Sequence, residues 1–249
     1  MVSDLPCLQR YFKMNLLLTL LFLLFQNSPN QTDSLTRELK KTEDPSVKAS
    51  LYYSLAKSHY GTDQDLAIAY ADSAISFGEL ADFPKMKANA INIKAVSYLI
   101  KSDFETSMKL NLEALEIRER IQDTVGLLET NLNLGNILFR SGKSGEAIVW
   151  YKKALGYAEL ANNRRGLSLI YNNLGNYYLT RWKSIEEKTA LDSAKLYLNQ
   201  SLEIKTELQD SRGLINTLLQ LAEMAQLEKN FGLAESNLSK ALAISEGID

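Results

Sequence analysis

The chain has 249 residues, 45% apolar and 23% charged, with a net charge of −2 at pH 7. That balance is ordinary for a globular protein, is long enough for one large domain or a repeat array, and excludes a general nucleic-acid binder, which needs a basic stripe. With 4 prolines, 12 glycines and one cysteine, Cys7, the composition excludes a long disordered linker, and it excludes a disulfide framework or thiolate metal site after Cys7.

At the start of the chain, Arg10 and Lys13 precede the run LLLTLLFLLF at 16–25. A positive flank followed by a uniformly apolar, non-amphipathic run is the layout of a secretory signal. The run falls short of the about 20 residues that a membrane-spanning helix needs. QNSPNQTDS after it supplies only Ser28, Thr32 and Ser34 as small residues, so an A-x-A cleavage site is missing, and Met14 is a second candidate start. No cysteine follows the run, which excludes lipoprotein processing. The expectation is a signal peptide or N-terminal signal anchor over 1–30, with membrane contact only through this segment. The competing reading is a buried apolar helix of a cytoplasmic protein. A short helical lead-in is expected over 31–45.

From there the sequence repeats. Gly126 and Gly166 are forty apart, as are Gly135 and Gly175, the series Ala74, Ala114 and Ala154, and the pair Ser201 and Ala241. The step from Ala154 to Ser201 is 47, so one unit carries seven extra residues. Internal periodicity of this length means an array of supersecondary units. Five units are expected, about 46–84, 85–125, 126–165, 166–212 and 213–249, each of two helices. The first helix carries a small residue at its centre: Ala56, Ala95, Gly135, Gly175 and Ala222. The second alternates small and large residues, as in Ala147, Tyr151, Ala154 and Leu155, or Ala234, Leu238, Ala241 and Leu242. Such spacing places them on one stripe, where small residues let two backbones approach and large ones fill the space beside them. The seven extra residues fall near RWKSIEEKTALD at 181–192 and are expected to lengthen the turn between the helices of the fourth unit, as a neutral insertion or a contact point carrying Trp182.

Leucine-small pairs in the first helix (Leu134-Gly135, Leu174-Gly175, Leu221-Ala222) and the small-large-small run in the second resemble the tetratricopeptide (TPR) repeat over residues 46–249. The early tryptophan of that family is missing, with Asn131 and Tyr171 in its place in two units. The closing proline is missing too, and the unit is forty residues long where the family has about 34. The longer form is similar to that of kinesin light chains and of bacterial sensor proteins. The resemblance implies an all-α fold, a right-handed α-solenoid of about five helix-turn-helix repeats, with first helices lining the concave side. Linkers such as QDTVGLLETNLNLGN and the ending ISEGID resemble the sensor half of exported regulators, in which a histidine kinase or DNA-binding output domain follows. That resemblance places the chain in the bacterial periplasm or cell envelope. The final helix, with Leu238, Leu242 and Ile248, reads as an uncapped end, open to a downstream output domain or to a second copy in a homo-oligomer.

Catalytic chemistry finds no support. The one histidine, His59, has no second histidine for a metal site, and no nucleophile elbow of the form G-x-S-x-G appears. RSGKSGEA at 140–147 lacks the leading glycine of a phosphate loop, with Ile137 in its place, and reads as a helix-helix turn. LEIRER at 115–120 reads as an ordinary exposed charged segment. The expectation is a non-enzyme without cofactor or metal.

What remains is asparagine, which costs a helix roughly 0.6 kcal/mol per site relative to alanine. Asn133 and Asn136, then Asn172, Asn173 and Asn176, recur on the face expected to line the groove, with Asn89, Asn92 and Asn216 on the same side and Arg140 one turn beyond Asn136. A side-chain amide both donates and accepts, so it can pair with the main chain of an extended peptide whatever that peptide's side chains are. In the resembling family, groove asparagines contact peptide backbone. That role is carried onto Asn133, Asn136, Asn172, Asn173 and Asn176, and more weakly onto Asn92 and Asn216. The partner expected is a protein or peptide. The alternative is a structural ladder in which the same amides bond across neighbouring repeats.

Overall fold

The structure is a computed structural model that describes residues 29–247. The apolar run at 16–25, Cys7 and Ile248 lie outside the described residues. Every regular element within them is helical: α1 (Pro29–Leu39), α2 (Pro45–His59), α3 (Gln64–Leu80), α4 (Pro84–Ile100), α5 (Phe104–Arg120), α6 (Thr124–Arg140), α7 (Ser144–Leu160), α8 (Arg164–Ile185), α9 (Lys188–Glu207), α10 (Ser211–Leu227) and α11 (Phe231–Glu246). Each helix packs on the next, giving, among the described residues, five antiparallel pairs from α2–α3 to α10–α11, with α1 against α2. Among the described residues no helix is long and apolar enough to cross a membrane.

The joints explain the punctuation of the sequence. Asp82, Ser102, Gln122, Gly142, Asn162, Gln209 and Lys229 each take a left-handed φ, between +46° and +82°. The residue after each closes the preceding helix by a six-residue hydrogen bond, as in Asp123 N–H to Arg118 O at 3.0 Å and Asp210 N–H to Lys205 O at 2.9 Å. This is a Schellman ending, which satisfies carbonyls that a helix end leaves unpaired. The same residue then opens the next helix as its N-cap: Asp103 accepts from Thr106 N–H at 3.1 Å, Asn163 from Gly166 at 2.8 Å, and Asp210 from Gly213 at 3.0 Å. One short polar residue thus ends one helix and starts another, which is why Asp and Asn recur at the joints.

Within a pair, the small residue is a steric requirement. A Cβ on Gly135 would lie 2.5 Å from the Tyr151 ring, and one on Gly175 2.6 Å from Leu198 Cγ. Ala147, Tyr151, Ala154 and Ala158 form the buried stripe of α7 that faces α6 and α8. Between pairs, successive first helices (α2, α4, α6, α8, α10) touch one another, while successive second helices make no comparable contact among the described residues. First helices therefore converge on the inner face of the curve and second helices splay on the outer face.

The seven extra residues of the fourth unit do not lengthen a turn. They are taken up as helix: α8 runs 22 residues and α9 20, against 17 in α6 and α7. The joint shrinks to Glu186 and Glu187, with Glu186 left-handed at φ +49°, and Arg181 holds it by donating to Glu187 at 3.0 Å. Trp182 and Leu191 pack against the buried cluster of Leu179, Ala194, Leu198, Leu221 and Met224. An apolar pairing surface on both extended helices stabilises helix over loop here.

Gly135→Ala is expected to destabilise the chain by roughly 1–3 kcal/mol through overpacking against Tyr151, despite the better helix propensity of alanine. Gly156→Ala, at an exposed site in α7 with nothing near the added carbon, is expected to gain up to about 1 kcal/mol. Chemical denaturation of the two variants checks both signs.

Candidate functional site

The inner face carries the asparagines on α4, α6, α8 and α10, and the structure sorts them into three kinds. The first kind bond to one another between successive first helices. Asn133 Nδ2 donates to Asn92 Oδ1 at 2.7 Å, and Asn173 Nδ2 donates to Asn136 Oδ1 at 2.7 Å. The Tyr151 hydroxyl also donates to Asn136 Oδ1, at 3.0 Å, and burial pushes that phenol well above its usual pKa. Asn133 and Asn136 therefore reach in opposite directions, one back to α4 and one forward to α8. A net hydrogen bond contributes about 0.5–1.5 kcal/mol, enough to offset the cost of asparagine in a helix.

The second kind serve buried cations. Asn172 Oδ1 accepts from Lys205 Nζ at 2.9 Å and from Thr217 Oγ1 at 2.7 Å, and Lys205 Nζ also donates to Thr217 Oγ1 at 2.8 Å. Asn89, in the second unit, has the equivalent role. It accepts from Arg118 Nη2 at 2.9 Å, while Arg118 Nη1 donates to Gly126 O at 2.6 Å and Thr130 Oγ1 at 2.5 Å. Arg118 also pairs with Glu129 at 3.3 Å. Both cations are almost wholly enclosed, at 0% and 2% relative exposure. Burial lowers the Arg118 pKa, opposed by Glu129 and Asp123. Burial pushes Lys205 down from 10.5 to about 8, partly opposed by Asp210.

The third kind are left free. The side chains of Asn176, half-buried, and Asn216, exposed, make no hydrogen bond among the described residues. Arg140 is half-buried and lies over the Phe104 ring at 5.8 Å.

Sequence reasoning missed the two cations, and LEIRER is not all surface: Arg118 is buried, while Arg120 and Glu116 form the solvent-facing i,i+4 pair at 3.0 Å. A cue was present. Arg118 and Lys205 each stand four residues after the central small residue of the second helix (Ala114, Ser201), eight before a glycine (Gly126, Gly213) and twelve before a threonine (Thr130, Thr217). The glycines make room for the cation stems, since a Cβ on Gly126 would lie 2.6 Å from Arg118 Nε and one on Gly213 3.0 Å from Lys205 Cδ.

His59 is a packing residue, its Nδ1 2.8 Å from Leu55 O and its ring 5.6 Å from that of Tyr70. Among the described residues no three metal-ligating groups come together. Gly142, in RSGKSGEA, is a left-handed joint residue at φ +82° between α6 and α7.

No known family profile matches the chain, and no curated protein is matched. Solved structures are similar. BtubC (BKLC) from P. vanneervenii has a TM-score of 0.66 at 19% identity, covering 87% of each chain. A Rap protein complexed with competence and sporulation factor has a TM-score of 0.61 at 17% identity, covering 88% of this chain and 69% of that one. A kinesin light chain with TPR-like repeats from Podospora anserina has a TM-score of 0.58 at 14% identity, covering 82% of this chain and 96% of that one. At such identities the likeness is one of fold: this chain is a TPR-like α-solenoid.

Lys205 generates a pH dependence with a definite sign. Between pH 8 and 10.5 the unfolded lysine holds a proton that the folded one has released, so stability rises with pH across that window, by at most about 3 kcal/mol. Relative to Lys205→Met, whose remaining Asn172–Thr217 bond keeps both partners satisfied, the parent chain is expected to gain stability as pH rises from 8 to 10.5. Equal slopes in pH-dependent denaturation would overturn this.

Proposed function

We propose that the chain is a protein- or peptide-binding module that takes an extended segment across the inner face of its first helices. The observation that carries this reading is the row of amides with hydrogen-bonding capacity left over. Asn136 has spare Nδ2 donors and Asn133 and Asn173 spare Oδ1 acceptors after their mutual bonds, and Asn176 and Asn216 are unspent among the described residues. A main-chain peptide group needs both a donor and an acceptor, and the amide supplies both. A Rap protein of this fold is known in complex with competence and sporulation factor, which supports the solenoid as a scaffold for binding. The basic flank and apolar run at 10–25 support an exported location, as the sensor or scaffold region of a bacterial signalling protein.

Apolar exposure on α11 favours a second reading, self-association: Phe231 is 69% and Leu242 40% exposed.

Peptides selected from a random dodecapeptide library on the full chain test the groove. Arg140→Trp and Asn216→Trp obstruct the inner face without removing an amide rung, and each is expected to weaken binding about tenfold, or about 1.4 kcal/mol. Val149→Trp, on the outer face, is expected to leave binding unchanged. Unaltered affinity in both groove variants sinks the reading. For the second reading, light scattering of residues 29–249 is expected to show a dimer that Phe231→Lys disperses, and a strict monomer at high concentration counts against it.

A further inference from the structure

The two closed rungs define a rule that the next rung breaks. Asn136 and Asn173 bond at 2.7 Å across α6 and α8. Forty residues after Asn136 stands Asn176, and 47 after Asn173 stands Gln220, so this pair holds the equivalent places on α8 and α10. There the rung is open. The Asn176 side chain has no partner among the described residues, and Gln220 Oε1 is buried without one. The other buried, unpartnered side-chain polar atoms among the described residues belong to Asn111, Arg118 and Gln200, all on second helices. Gln220 is the one of these placed on the inner row.

The opening is bounded on both sides along the helices. Toward the N-terminal end of α8, Lys205, Asn172 and Thr217 tie α8 to α10. Toward its C-terminal end, Lys183 of the α8 extension pairs with Glu223 of α10. A buried acceptor without a donor costs about 1–3 kcal/mol, so this site gains more from an incoming N–H than the spare lone pairs of the closed rungs, whose amides already hold one bond each.

We infer that this open rung holds one main-chain peptide group of the ligand, its N–H donated to Gln220 Oε1 and its C=O accepting from Asn176 Nδ2. The inference rests on the groove reading and sharpens it: the closed rungs set the pitch of the array, and the unit 4–unit 5 crevice fixes the register of the ligand. The occupant is a polypeptide segment recognised by its backbone, with no demand on the side chain at that residue.

The probe is a dodecapeptide selected on the full chain as above, methylated at one backbone nitrogen at a time. Gln220→Leu and Asn176→Ala are each expected to weaken the parent peptide about tenfold. One N-methyl position is expected to weaken binding about tenfold to the parent chain and to be silent in Gln220→Leu, the mark of a bond between that N–H and Oε1. Gln220→Leu is expected to keep or raise the melting temperature, because it removes an unpaired buried acceptor. Affinity unchanged in Gln220→Leu, or N-methyl effects that all persist in it, overturns the open-rung site. The groove reading still stands in that case if the Arg140→Trp and Asn216→Trp blocks hold, and a chain that selects no peptide overturns both.

Discussion

Close approach of the two helices inside each unit is the constraint from which the inner face follows. The Tyr151 ring rests where the Gly135 side chain would be, and Leu198 where that of Gly175 would be. Small residues at these points draw the second helix inward, and neighbouring units then stack so that first helices meet first helices. Only at that separation do amides on α4 and α6, or on α6 and α8, come within 2.7 Å of each other. A larger residue at the centre of a first helix would spread the pair and open the rungs, so packing inside one unit controls polar contacts between units.

The junctions between units are not all built alike. Units 2 and 3 are joined through buried Arg118, and units 4 and 5 through buried Lys205, each reaching an asparagine of its own unit and a threonine of the next. In unit 3 the equivalent position is Ala158, and the room beside Gly166 is filled by Leu128 Cδ1, 2.7 Å from where a Cβ would sit. A glycine at the same place in three units thus makes room for three different occupants: a guanidinium, a leucine methyl and a lysine stem. Burying a cation costs desolvation that only well-placed acceptors recover. These two junctions are therefore specific in register without being the strongest source of stability.

Much of this was legible in the sequence. The forty-residue spacing, the central small residues and the alternating second-helix stripe dictate helix pairs, and the stacking follows because no pair can bury its stripe alone. The position of the asparagines on the inner row was legible as well. Their partners were not, because a side chain at one helical position can reach forward or back by a turn, and sequence spacing does not say which. Asn133 and Asn136 illustrate this, turning to different neighbours from positions three residues apart. The buried cations were hidden by composition: Arg118 stands among Glu116, Glu119 and Arg120, which are exposed, and charge by itself does not reveal burial. The insertion misled for a related reason. Its polar, glutamate-rich letters suggest loop, but Trp182 and Leu191 find apolar partners across the pair and keep it helical.

That helical extension bears on the inner face itself. In units 3 and 4 the position one residue after the central glycine is Asn136 and Asn176; in unit 5 the residue after the central alanine is Glu223. A lone carboxylate there would face the amides of α8 without a cation to pair with. The extra turn of α8 carries Lys183 to it. The change from asparagine to glutamate and the seven-residue insertion are thus two halves of one contact, which spans the α8–α10 crevice beyond the point where the amide ladder stops. Had the insertion formed a loose turn, Lys183 would lack a helix to hold it in place, and the crevice would be tied only at its Lys205 end. With both ends tied, the gap between Asn176 and Gln220 has bonded contacts on either side along the helices.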